Sequence, residues 1–573
     1  MNWRLILAAL WGLMAGSLSH PAFSETRVSG AVSGLWERQG SPFIVTGDIS
    51  LRNNETLRIE PGVIVVFQGN FRFTINGRLT AEGTERDSIF IYGGGQPGSW
   101  RGLFFAGPGA DLGHMSYCAI RFAFQGINLN DADPQIDHSS MSFCADAGVS
   151  FNRSLSKLLN CKIFRINGTG VKVGGSSRAI VRACSIATCQ DNGIVVNEGA
   201  NPTLDHNTID GVSDHGIALS QAAPCSVLFN TIIQPGARGI SISESNGAVV
   251  MRNVTDGATG PGIWAYRSAG VQLVNNTVLN GGSYGVQITT NVTGTVANCI
   301  IANNGLHGLI LQGGNPSCDY NDLYGNRSGN YSGVEAGAHD LHIPPDLDGN
   351  YNPRAGNALI DAGDPFQPPD PDGTRAEIGA GFLNQNRPPE IRSFLPNWPQ
   401  DTTVQGDRIY DFSADVVDPD RHFLTWKWFV NGVEEWRNVA YRRNFNRDGE
   451  YTVRLLVDDR YYLGQAEHIW HFFVDGSSVT SDGALPEGYF LSEVYPNPFN
   501  GILNFQLTVP RREKVNIDLL DWNGRRLKAI SSGERDAGDH RITFDAGWLP
   551  SGEYVIRVDI GKITTLRRSI LLR

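Results

Sequence analysis

Asp191 and Asp214 stand 23 residues apart, and so do His215 and Arg238. The glycines beside them, Gly193, Gly216 and Gly239, keep the same interval, so these side chains belong to columns of a repeat. If the repeat stacks as paired strands, about 4.8 Å separates successive members of a column. Two carboxylates that close resist joint ionisation, which is the condition for one of them to serve as a general acid. His215 and Arg238, in the adjoining column, would add a proton acceptor and a cation. Lys172 lies one coil from Asp191 and could neutralise an anionic sugar. Trp264 and Tyr266, two and four residues after Gly262, offer rings of the kind that stack on sugars. Asp is also an ordinary turn residue, and the Asp-His pair recurs at Asp205-His206, so a structural origin for these acids stays open.

The element that must position these groups is a coil. A glycine followed by an aliphatic residue recurs from Gly102-Leu103 through Gly126-Ile127, Gly148-Val149 and Gly170-Val171 to Gly308-Leu309. The early steps are 24, 22 and 22 residues, and every step from Gly170 onward is 23. Nine residues before most of these glycines runs a second column, Cys161, Cys184, Asn207, Asn230, Asn253, Asn276 and Cys299, with Asn321 near register. Each period predicts a short strand at the Asn or Cys, a turn, and a second strand after the Gly. Inward Asn residues can bond to the Asn above and below, Cys can fill the same slot, and the Gly is expected to permit a turn closed to residues with a Cβ. The alternation places positions one and three after the Gly inward and two and four outward. The outward columns are rich in Asn, Ser, Thr and Gln, a face suited to sugar hydroxyls or simply to water. A leucine-rich repeat has a similar period, but no helical segment separates these strands.

This pattern, over roughly residues 40 to 345, resembles the right-handed parallel β-helix of pectate-lyase-like proteins. The resemblance implies an all-β solenoid and a surface that binds or cleaves polysaccharide. The catalytic elements of polygalacturonases are not matched as a set: Asn207-Thr208-Ile209-Asp210 and Asp214-His215-Gly216 stand in their place. Ile136-Asp137-His138 matches the Trp-Ile-Asp-His element of pectate lyases only in part.

The 573-residue chain is too long for one ordinary domain, and its net charge of −11 argues against a nucleic-acid partner. Arg4, the apolar run Leu5 to Leu18 and Ala22-Phe23-Ser24 form an export signal over residues 1–24, and no later segment is apolar enough to span a membrane. Eight cysteines in an exported chain raise the question of disulfides. Cys144 and Cys189 lie two coils apart, beyond disulfide reach, while Cys161 and Cys184 on adjacent coils could bridge or simply fill the ladder. No cysteine spacing suggests zinc.

The β-helix is expected over residues 25–385. It opens with segments such as Leu57-Arg58-Ile59-Glu60-Pro61-Gly62 and closes with a terminal cap around Ala358 to Ala380 that would cover the exposed strand edges. Asn386-Arg387-Pro388-Pro389 leads into residues 386–476, whose alternating strands and Asp415, Asp418, Pro419 and Asp420 resemble a PKD-type immunoglobulin-like sandwich. Those carboxylates form either a solvated turn or a calcium site; no other cofactor is expected. After a polar linker, Gly476 to Gly483, residues 484–573 form a second immunoglobulin-like sandwich. Tyr495-Pro496-Asn497-Pro498-Phe499-Asn500, the turn Asp521-Trp522-Asn523-Gly524-Arg525 and the terminal Ile570-Leu571-Leu572-Arg573 resemble the C-terminal sorting domain of type IX secretion cargo. The resemblance implies outer-membrane export by that machinery and a place outside the cell. There the solenoid would bind extracellular polysaccharide as an adhesive scaffold, act as a lyase or glycoside hydrolase on an acidic glycan, or serve a purely structural role.

Overall fold

The computed structural model describes residues 25–399, 401–406, 408–475, 488–521, 524–561 and 563–572. The export signal at 1–24 and the linker Gly476 to Gly483 lie outside them, as do Trp522 and Asn523 of the terminal-domain turn. Two compact units divide at Gln385/Asn386. The first is a right-handed parallel β-helix.

Each coil holds three strands where the repeat text predicts two. In one coil these are Thr203–Asp205, Thr208–Asp210 and Ile217–Ser220. The first had no clear signature because only one of its three residues, Leu204, points fully into the core. Its equivalents Val181, Val227 and Val250 are likewise the single buried residues of their strands, while the strand of Leu273 also buries Val271 and Val274. These short strands form a 13-stranded parallel sheet of their own; the other two rows of strands join in a 26-stranded sheet. We call the row that follows the glycines the glycine face. Its register runs Lys172↔Val195↔Ala218↔Ser241↔Trp264, one residue per coil. The inward residues Ile194, Val196, Ile217, Leu219, Ile240 and Ile242 are buried, as the alternation requires.

The bends between strands are not made by the repeating glycines. Left-handed backbone falls instead on a column of side-chain-bearing residues just before the Asn or Cys: Ala183, His206, Phe229, Arg252, Asn275 and Asn298, with φ between 52° and 55°. The repeating glycines from Gly126 to Gly308 are absent from the positive-φ positions. Their role is close approach. A Cβ on Gly216 would lie 2.4 Å from Ile232 Cγ2 and 2.7 Å from the Gly239 carbonyl of the next coil. No heavy atom fits there.

The Asn column forms a continuous chain of side-chain bonds. Asn207 Nδ2 donates to Asn230 Oδ1 at 2.9 Å, Asn230 Nδ2 to Asn253 Oδ1 at 2.9 Å, and Asn253 Nδ2 to Asn276 Oδ1 at 3.1 Å. Each Oδ1 also accepts the backbone N–H of the preceding Asn, so groups buried away from water are satisfied. At Cys184 and Cys299 the thiol donates to the carbonyls of Leu158 and Leu273, in the column that the Asn amides otherwise use. All eight cysteines are free thiols.

The closing segment departs from the expected end cap. Asp340 does finish the ladder, accepting the Asn321 N–H at 2.7 Å. The chain then turns back along the side of the solenoid. Leu359 and Ile378 pack on Leu279, Ile300 and Ala302, whose outward positions are apolar on these coils. Asn275 Nδ2 donates to the Glu377 carbonyl at 2.7 Å, and Arg252 pairs with Asp370 with both side chains buried. The apolar outward residues at 279, 300 and 302 required a cover, and a segment that follows the last coil in sequence supplies it.

In the second unit, residues 390–475 fold as a three-stranded and a five-stranded sheet around Phe412, Trp428, Trp470 and Phe472. Residues 490–571 form a three-stranded and a four-stranded sheet around Phe499, Phe505, Ile517 and Ile556.

Candidate functional site

The glycine face brings the predicted residues into one polar row, though not with the predicted division of labour. Asp191 and Asp214 do stack, with the Asp214 N–H 3.3 Å from the Asp191 carbonyl. Their carboxylates take different partners. Asp191 accepts from Thr169 Oγ1 at 2.8 Å and Asn192 Nδ2 at 2.7 Å, while Asp214 Oδ1 lies 2.9 Å from His215 Nδ1.

His215 occupies the centre. Arg238 Nη1 lies 3.3 Å from its Nε2, and because a guanidinium only donates, Nε2 must accept. That places the ring proton on Nδ1, facing Asp214. The Arg238 N–H also lies 3.4 Å from Nδ1, and the shorter, charge-assisted contact decides the tautomer. Burial pushes the His215 imidazole below its ordinary value; Arg238 adds to this, while Asp214 and Asp191 oppose it. His215 is therefore neutral near pH 7. Burial likewise lowers the Arg238 guanidinium, against the attraction of Asp214.

Trp264 and Tyr266 stack on one another with centroids 5.7 Å apart and planes 8° from parallel. Arg238 lies 4.0 Å from the Trp264 centroid and Arg267 lies 4.9 Å from that of Tyr266. The expected free faces for sugar rings are thus engaged within the chain, and the stack presents guanidinium groups instead. Sequence spacing missed this because Arg238 comes from the preceding coil. Lys172 is paired with Asp146 at 2.7 Å. Burial works to raise the Asp146 carboxyl, but bonds from Lys172 and Gln125 outweigh it and hold the group below its usual range. Lys172 lies three strand spacings from the coil of Arg238, or about 14 Å.

Two further predicted sites fall in the second unit. Asp418, Asp420 and His422 bring one ligand atom each within 4.8 Å of one another. Asp418 Oδ1 accepts the N–H groups of Asp420 and His422, both at 2.9 Å, while its buried Oδ2 has no hydrogen-bond partner among the described residues. Asp459, fully buried, lies beside His422. The group offers two carboxylates and one imidazole nitrogen, and Asp420 is already held by Arg387 through both carboxylate oxygens, so the buried Asp418 Oδ2 is the oxygen left for a hard cation such as calcium. In the terminal unit, Tyr495 exchanges backbone bonds with Asn504. Asn497 Oδ1 accepts the Ile570 N–H at 2.8 Å, its Nδ2 reaches the Arg568 carbonyl at 3.3 Å, and Phe499 is buried. The motif that opens this unit is therefore stitched to its last strand.

These features define a β-helix protein with a sorting module at its C-terminal end. Residues 61–232 match the family described as "Right handed beta helix region", residues 162–342 "Periplasmic copper-binding protein (NosD)", and residues 493–572 "Secretion system C-terminal sorting domain". The protein is exported, to be secreted or held at the cell surface. No helix among the described residues is long and apolar enough to cross a membrane. The comparison with curated proteins found no match. Among solved structures, a double mutant of the periplasmic alginate epimerase AlgG aligns at 16% identity, covering 53% of this chain and 77% of its own, with a TM-score of 0.32. The A-module of the Azotobacter vinelandii mannuronan C-5 epimerase AlgE4 gives 14%, 55%, 91% and 0.32 in the same order, and pectate lyase Pel9A 14%, 57%, 89% and 0.29.

Proposed function

We propose that the glycine face binds an acidic extracellular polysaccharide, with Arg238 as its principal anion contact. One observation carries this reading: the Arg238 guanidinium sits over the Trp264 ring without forming an ion pair among the described residues, in a protein whose net charge is −11. A cation without an ion-pair partner in an acidic protein is available to an external anion, and a guanidinium can present two N–H groups to one carboxylate. The outward Asn197, Ser220 and Ser243 side chains supply further polar contacts along the row, and Lys172 does so where an incoming anion draws it from Asp146. Affinity electrophoresis in gels containing polygalacturonate tests it. Wild type should be retarded, Arg238→Gln should lose most of the retardation, and Trp264→Ala with Tyr266→Ala should weaken it by freeing the guanidinium. Absence of retardation by any acidic polysaccharide would leave a purely structural surface protein as the better reading.

A second reading rests on His215. It is neutral, oriented by Asp214, and its Nε2 lone pair is held by Arg238. A sugar carboxylate that recruits Arg238 would release Nε2 to take the proton beside that carboxylate. As the C–H bond breaks, a C=C bond forms and the glycosidic C–O bond opens, its oxygen taking a proton from water. New ultraviolet absorbance from unsaturated ends would report such lyase activity, and new reducing ends without absorbance would report hydrolysis. Activity that survives both Asp191→Asn and Asp214→Asn would exclude this site. The copper named for the NosD family has no three-ligand group of His, Cys, Asp or Glu within 162–342 among the described residues.

A further inference from the structure

Six strand spacings before Arg238, the same column of the glycine face holds Arg101, through Gln125, Ala147, Thr169, Asn192 and His215. The distance along the solenoid is about 29 Å. Beside Arg101 is a hollow of ≈390 Å³ lined by Asn70, Arg72, Arg101, Phe104, Phe124 and Gln125. Arg72 lies 4.6 Å from the Phe104 centroid, the arrangement Arg238 makes with Trp264. Arg72 Nε is buried and has no hydrogen-bond partner among the described residues. Neither guanidinium forms an ion pair among the described residues, although the protein is acidic overall. Phe124 leaves half its surface exposed at the rim. A buried, unused N–H of a charged group is costly, and an arriving oxyanion removes that cost.

We propose that this hollow is a second anion subsite, taking a carboxylate or sulfate group carried on a polysaccharide that runs across the coils from Arg72 and Arg101, past Lys172, to Arg238. The inference rests on the binding function proposed above and adds to it a direction and a minimum length. A ligand shorter than about 29 Å cannot occupy both guanidinium platforms, so chain length itself becomes a determinant of affinity.

The test measures binding of the full-length mature protein to polygalacturonate, dextran sulfate and neutral dextran, each polyanion as short fragments and as long chains. Long chains should bind at least tenfold more tightly than short ones. Arg72→Gln with Arg101→Gln should abolish that length advantage and leave Arg238-dependent binding of short fragments intact. Arg72→Lys with Arg101→Lys, which keeps charge but not the fork, should recover part of it. The polymer whose length advantage the Gln pair abolishes identifies the anion as carboxylate or sulfate. If the double variant does not fold, Arg101→Gln alone, at an exposed position, serves instead. An unchanged length advantage in the variants, equal losses on neutral dextran, or no binding of either polyanion by wild type would overturn the subsite. Sensitivity to Arg72 and Arg101 with indifference to Arg238→Gln would keep the subsite and remove the principal contact proposed above; the converse would do the reverse.

Discussion

Replacing Asn230 by Ala removes four hydrogen bonds from the middle of the Asn ladder. Its Oδ1 accepts from Asn207 N–H at 3.0 Å and from Asn207 Nδ2 at 2.9 Å. Its Nδ2 donates to the Leu204 carbonyl at 3.0 Å and to Asn253 Oδ1 at 2.9 Å. In the variant, Asn207 Nδ2 keeps the Val181 carbonyl, and Asn253 Oδ1 keeps the backbone N–H of residue 230. The Asn207 N–H is left buried with no acceptor. An orphaned buried donor costs about 1–3 kcal/mol and each of the three other lost bonds a net of about 1 kcal/mol, so the expected loss is about 5 kcal/mol. Asn230→Cys separates the contributions, because a thiol there can reach the Leu204 carbonyl as Cys184 reaches Leu158. It recovers that one bond but still leaves Asn207 N–H unpaired, and should cost about 1 kcal/mol less than the Ala variant, or about 4 kcal/mol. Denaturant unfolding of the solenoid, with the slope checked for constancy, measures both. An Ala variant within about 1 kcal/mol of wild type, or a Cys variant as unstable as the Ala variant, would refute the ladder as a source of stability.

Burial holds His215 below its ordinary 6.5, so the unfolded chain takes up this proton first as the pH falls; stability should be lost below about 6.5, and His215→Gln should flatten that limb of the melting-temperature profile. Calcium should raise the melting temperature of the unit containing Asp418, and Asp418→Asn should abolish that rise while melting no lower than wild type in chelator, since it removes a buried carboxylate oxygen that lacks a partner. Deleting residues 484–573 should strand the protein in the periplasm of a host with type IX secretion, read by surface labelling. Asn497→Ala should weaken display by releasing the terminal strand at Ile570.

The solenoid was legible because its buried columns repeat: one Gly followed by one inward aliphatic residue in every coil from Gly102 to Gly308, and one Asn or Cys in each coil from Cys161 onward. The third strand gives no sequence signal because most of its copies are three residues long with one buried residue, and its flanking positions mix apolar and polar types, so no alternation can be read. The glycines were legible as a column but not for their cause, since φ and the nearness of the Gly239 carbonyl are both properties of the stack. Asp191, Asp214 and His215 could be placed on one face from spacing alone. That Asp214 serves His215 while Asp191 serves Thr169 and Asn192 depends on rotamers, which spacing does not encode. Arg72 and Arg101 were missed because the early coils keep an irregular period, although Arg101 precedes Gly102 as Arg238 precedes Gly239.

The segment that folds back over Leu279, Ile300 and Ala302 also sets an order of events. Coils that pair only with neighbours can be added one after another as the chain emerges, each step closing a loop of a single period. The cover over these coils comes from residues 359–378, so the apolar patch it hides stays open to water until that stretch has been delivered. For a chain that leaves the cytoplasm in an extended form, the last coils therefore mature late. A nascent protein halted before residue 380 would carry a sticky flank, a ready handle for the periplasmic factors that hold or discard unfinished cargo.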